Sequence, residues 1–175
     1  MPKKSPTEIE DGLVRRIRWA VSVFVVGLVV SGLTAIPLET EVQWFLAWRN
    51  VTPESAIVHD SVMDNWMLRI HSALHTTNQQ YPFMAYGYDW LAFGHLSIAI
   101  IYLWGAWRDP VRNSWLFDCG LVLCAMLIPY AFLMGHIRGI PIWWRLIDCS
   151  FGLLGALPLL YCRKHVQQIV ASRQR

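Results

Sequence analysis

Residues 19–37, WAVSVFVVGLVVSGLTAIP, carry no charged side chain. A helix rises 1.5 Å per residue, so about 20 mostly apolar residues cross a bilayer core. This run meets that length. Arg15, Arg16 and Arg18 precede it, as in a secretory signal. Its apolar stretch, however, exceeds the roughly 7–15 residues of a cleaved signal core, so the reading is an uncleaved membrane anchor. Working outward, three more stretches are similar. Residues 88–107 contain Asp89 and His95. Residues 113–137 contain Asp118, Pro129 and His136. Residues 141–162 contain Arg145 and Asp148. The expected fold is therefore all-α, a polytopic membrane protein with four transmembrane helices. Residues 1–18 and 163–175 form tails, and residues 38–87 an extracytoplasmic loop.

Composition agrees. Of 175 residues 55% are hydrophobic and 15% charged, against about 25% charged in soluble domains. With a mean hydropathy of +0.35, this argues against a soluble enzyme, a disordered tail or a nucleic-acid-binding module. Ten tryptophans, many near the ends of the apolar runs, suit an interfacial belt.

The positive-inside rule orients the spans. With both termini cytoplasmic, Lys3, Lys4, Arg15, Arg16, Arg18, Arg108, Arg112, Arg163, Lys164, Arg173 and Arg175 lie inside, eleven of the 15 basic residues. Only Arg49, Arg69, Arg138 and Arg145 fall outside. The basic balance thus reads as orientation and not as affinity for nucleic acid. Cys119, Cys124, Cys149 and Cys162 all fall in the spans or at their ends, and none lies in the outside loop where bridges would form.

Within the loop, Thr52-Pro53-Glu54 has the form of a helix start. Ile57, Val58, Val62, Trp66, Ile70 and Leu74 follow at helical spacing to about His75. Residues 41–48 form a shorter aromatic-rich stretch. Both suit helices lying on the outer surface or capping the bundle. Asn78, Gln79, Gln80, Tyr81 and Pro82 read as a connection into the second span. On the first span, Gly27, Ser31 and Ala35 form a small-residue face suited to helix packing.

The strings at residues 81–95 (YPFMAYGYDWLAFGH), 108–113 (RDPVRN), 138–141 (RGIP), 145–152 (RLIDCSFG) and 32–41 (GLTAIPLETE) resemble a family of small four-helix bacterial membrane proteins with no established activity. The resemblance implies a bacterial inner-membrane location. It transfers no functional residue.

The topology brings the polar residues of the spans into one leaflet. Asp89, His95, His136, Arg138, Arg145 and Asp148 are the expected outer-leaflet cluster. Ionisable groups at that depth are costly unless paired or wet, and mark functional sites. Arg145 and Asp148 are i, i+3 and can pair on one helix face. That face continues into Gly152 and Gly155, which permit close helix contact. His95 reads as a packing histidine, a proton-handling group or a metal or haem ligand. His136, near the surface, is poorly placed to complete a bis-histidine haem site. In the loop, His71 and His75 are i, i+4, which reads either as a solvated helix face or as the spacing of a transition-metal chelate whose third ligand comes from elsewhere.

No phosphate loop, zinc-protease motif, nucleophile elbow or CxxC pair is present. The favoured reading is a non-catalytic binding or accessory component without a cofactor. Its partners are the lipid bilayer and another membrane protein or a second copy. The alternatives are an outer-leaflet enzyme or redox protein using the Asp89, His95, Arg145 and Asp148 cluster, with haem or a transition metal, and an oligomeric transporter or channel.

Overall fold

The computed structural model describes residues 6–52 and 61–174, and among them there is no strand. The helices are α1 (Pro6–Thr34), α2 (Leu38–Trp48), α3 (Val62–Gln80), α4 (Tyr86–Ile101), α5 (Trp115–Ile137) and α6 (Ile142–Arg173). A 3₁₀ turn, Pro82–Ala85, leads into α4, and a π-helical segment, Tyr102–Trp107, extends it. Among the described residues, four helical segments are long and apolar enough to cross a membrane: Thr7–Thr34, Pro82–Trp107, Trp115–Ile137 and Ile142–Arg173. The residues form two compact units, Val29–Ser97 and the rest of the chain.

In the unit that contains α5 and α6, the two helices form an antiparallel hairpin seamed by glycines. The space a Cβ would take at Gly152 lies 2.9 Å from the Cys124 carbonyl oxygen. At Gly120 that space is filled by the Tyr102 hydroxyl and the Leu159 side chain, and at Gly135 by the Arg145 side chain. Glycines at the seam let the two backbones approach closely, and packing at that distance holds the pair. The turn between them is a glycine-capped helix end. Gly139 adopts φ +67°, its N–H reaching His136 O and the Ile140 N–H reaching Gly135 O. Only glycine takes that conformation without strain, and Pro141 then begins the next helix.

The tails read from sequence as residues 1–18 and 163–175 are largely helical. α1 begins at Pro6, with proline pre-set for a first turn, and α6 runs on to Arg173. They extend because Ile17, Val166 and Ile169 continue an apolar stripe into the buried core with Phe117, Leu159 and Cys162. Arg173 and Glu10 then form an ion pair at the far end. Local charge density hid this stripe in the sequence.

The π-helical segment is held by its unit. Tyr102 is buried, and its hydroxyl donates to Leu116 O at 2.7 Å. Arg18 Nε donates to Trp107 O at 3.0 Å and its Nη2 to Arg108 O at 3.3 Å, capping carbonyls at the end of the segment. Asn113 Nδ2 donates to Gly105 O at 3.1 Å.

In the other unit, α2 packs on α3, burying Val42 and Leu46 from one helix and Asp64, Met67 and His71 from the other. Asn50 ends α2 in the left-handed conformation at φ 55°, which asparagine tolerates better than most residues. Val51 is then buried behind it. α3 starts at Val62, with Ser61 Oγ accepting from the Asp64 N–H. The earlier start expected at Thr52-Pro53-Glu54, with Ile57 and Val58, falls mainly on residues 53–60, outside the described residues. At its other end α3 includes Asn78, Gln79 and Gln80, which sequence reasoning assigned to a loop. Side-chain bonds made by all but the last of these anchor that final turn.

The small-residue face expected at Gly27, Ser31 and Ala35 is displaced by one position. Among the described residues, nothing lies within 4 Å of a Cβ at Gly27. Gly32 makes the close approach instead, 3.0 Å from His95 Cβ and 3.1 Å from Ala92 O of α4.

Candidate functional site

A polar constellation lies between α2 and α3 and centres on Glu39. Its Oε1 accepts from His75 Nδ1 at 2.8 Å and its Oε2 from Asn78 Nδ2 at 2.6 Å. Asn78 Oδ1 in turn accepts from the Tyr88 hydroxyl of α4 at 2.9 Å. Gln79 Nε2 lies 2.9 Å from His75 Nε2. A carboxylate can only accept, so His75 carries its hydrogen on Nδ1, and Nε2 accepts from the Gln79 amide. One turn of helical spacing makes this possible: His75 and Gln79 are i, i+4, and Asn78, at i+3, sits beside them on the same face.

These bonds hold the Glu39 carboxyl below its ordinary value of 4.5, chiefly through Asn78 and then His75, with partial burial opposing them. The ionised form is therefore built into the site. Glu39 was not singled out from sequence. Its signal was an acidic residue in the first turn of a short aromatic helix, an ordinary feature of helix starts.

His71 stacks on His75 with ring centroids 5.9 Å apart and 9° between planes. It is 8% exposed, and among the described residues its buried Nε2 has no hydrogen-bond partner, nor has Trp66 Nε1 on the same helix. The i, i+4 pair thus shares a face, as the spacing predicts. Parallel rings do not converge their in-plane lone pairs, however, and both nitrogens of His75 are engaged. A chelate through this pair requires the rings to turn and the Gln79 amide to leave His75 Nε2, whereas the bond from Nδ1 to Glu39 can stay. Among the described residues, no group of three His, Cys, Asp or Glu side chains is arranged to hold a metal ion.

A second polar lock closes the far end of the α2–α3 pair. Arg49 Nε and Nη2 donate to the two carboxylate oxygens of Asp64 at 3.0 and 3.1 Å. Asp64 is 5% exposed, so this bidentate pair neutralises a buried charge.

The six residues expected to cluster divide between the two units. Asp89 is exposed in the first turn of α4. His95, in the same helix, directs Nδ1 to Leu91 O at 2.8 Å, one turn back, and packs against Gly32. In the other unit, His136 and Arg138 are exposed at the end of α5. Arg145 Nε donates to Ile140 O at 2.8 Å, and its side chain crosses Gly135. It therefore fastens the α5–α6 turn. No Arg145–Asp148 ion pair forms among the described residues. Asp148, one turn further on, is half-buried. A carbonyl won over the carboxylate because the glycine-capped turn leaves the Ile140 oxygen within reach of the guanidinium. Asp118, at the other end of the hairpin, pairs with Arg163 at 2.9 Å. All four cysteines are free thiols.

No family model, curated protein or solved structure matches this chain.

Proposed function

We propose that this protein is a non-catalytic accessory component of a membrane assembly, acting through the α2–α3 pair on a partner membrane protein. The observation that carries the reading is the outer face of α2. Trp44 and Trp48 are i, i+4 and lie 70% and 74% exposed, while Val42 and Leu46 on the same helix are buried against α3. α2 is thus apolar on two faces and uses one. Tryptophan supplies large contact area at low entropic cost, and paired exposed tryptophans mark binding surfaces. The polar network beneath supports this: Glu39, His75, Asn78 and Tyr88 satisfy one another, which makes a rigid platform for the tryptophan face.

In this reading the membrane is a bacterial inner membrane, as the resemblance implies, and both termini are cytoplasmic. The arginine asymmetry supports that orientation.

A photo-crosslinking residue at position 44 or 48, introduced in the native host, tests the proposal. A discrete protein adduct is expected from both positions, and none from position 104 on α4's apolar continuation. Adducts to lipid alone from position 44 overturn the partner reading and place the tryptophans in the bilayer interface. A second copy of the chain in the adduct replaces the partner by self-association.

A further inference from the structure

The end of the α1–α6 unit that bears the arginines holds a recess of about 390 Å³, lined by Arg18, Arg108, Arg112 and Arg173 together with Val14 and Asp109. The turn after the π-helical segment shapes it. Asp109 Oδ1 accepts from the Arg112 N–H at 3.1 Å, and Asp109 O accepts from both the Asn113 N–H and its side-chain amide. This fixes residues 108–113 and sets Arg108 and Arg112 at the same opening.

Two of the four arginines are committed. Arg18 caps the carbonyls of Trp107 and Arg108, and Arg173 forks onto Glu10. Among the described residues, neither Arg108 nor Arg112 has a carboxylate partner. Asp109 offsets part of the charge, so the recess keeps an excess of positive charge in fork-shaped donors. Guanidinium forks match phosphate oxygens in pairs.

The geometry points to this recess as a binding site for the phosphate of an anionic phospholipid. A free phosphate ion shares that chemistry, and the surroundings favour the lipid. Arg108 lies over Trp104, its guanidinium 4.6 Å from the ring centroid. Trp104 is 71% exposed, and Ile100 and Leu103 are exposed beside it. A headgroup in the recess therefore has an apolar, aromatic-edged surface immediately next to it for its acyl chains. Basic recesses between helices at the cytoplasmic face bind headgroups in this manner. The charge asymmetry puts this end in the cytoplasmic leaflet. The site is independent of the α2–α3 reading.

The test uses the full chain, stripped of lipid and reconstituted in phosphatidylcholine nanodiscs with a graded fraction of phosphatidylglycerol. The readout is phosphatidylglycerol retained per chain after re-extraction. Retention near one per chain is expected, unaffected by millimolar inorganic phosphate. Replacing Arg108→Gln and Arg112→Gln lowers the apparent affinity by about fivefold for each arginine removed. Replacing Arg15→Gln and Arg16→Gln, exposed on α1 and outside the recess, leaves it unchanged. Equal loss in both pairs overturns the site, since general surface charge then explains retention. Displacement by inorganic phosphate overturns the lipid assignment in favour of the free ion. If the glutamine pair does not fold, Arg108→Lys with Arg112→Lys keeps the charge and removes the forks. Lowered retention in that variant supports the site, and wild-type retention overturns it.

Discussion

The α5–α6 hairpin and the α2–α3 pair each hold two helices together, with opposite chemistry. The hairpin closes through absent side chains: Gly120, Gly135 and Gly152 let a hydroxyl, a guanidinium stem and a backbone carbonyl occupy Cβ space. The α2–α3 pair closes through side chains that are present, Glu39 with His75 and Asn78 at one end and Arg49 with Asp64 at the other. The composition of the helices accounts for the contrast. α5 is apolar along most of its length and offers few side chains for polar bonds, so close packing holds it. α3 is rich in polar residues, and each polar group taken inside must find a partner.

The largest effect is expected where the hairpin seam is filled. Gly120→Ala places a methyl where the Tyr102 hydroxyl and Leu159 stand, and overpacking of this kind costs about 1–3 kcal/mol. Thermal unfolding in detergent reads the loss. Adding Tyr102→Phe recovers part of it, because the hydroxyl is one of the two obstructing groups; a double variant no better than the single refutes that account. Gly27→Ala is the contrasting control. It meets nothing within 4 Å among the described residues and leaves the transition unchanged.

The α2–α3 pair breaks differently. Asp64→Ala strands Arg49 and removes a buried carboxylate, and should raise amide exchange across residues 38–80 with the hairpin unmoved. Equal exchange in both regions contradicts their separation into two units. The effect of Glu39 depends on pH. Its folded pKa lies below the ordinary 4.5, so its contribution is complete above that value. It is lost as pH falls through the lowered value. Acid should therefore loosen this pair before the hairpin, and Glu39→Gln should flatten that dependence. Tyr88→Phe removes one outer hydrogen bond and should cost about 1 kcal/mol or less.

The four long apolar helices were legible because each is an apolar run of about 20 residues or more. Helix extent was not. The stripe of Ile17, Val166 and Ile169 is interrupted by charges that face away from the core, and only its partners reveal it. The histidine pair His71 and His75 was legible from its spacing, whereas Glu39 lies 36 residues from the histidine it binds and gave no local signal. Arg145 and Asp148 show the converse. Their i, i+3 spacing allowed a pair, but the carbonyl of Ile140 took the guanidinium.

Sequence by itself determined what must be removed from water and what must remain near it. Length, hydropathy and arginine asymmetry follow from the energetics of single residues in a bilayer. The tertiary structure decided which polar group each side chain answers and which glycine meets a neighbour. Those choices depend on helix rotation and on contacts between residues far apart in the chain. One residue of rotation separates the expected face at Gly27, Ser31 and Ala35 from the actual approach at Gly32, and local periodicity does not encode where the neighbouring helix lies.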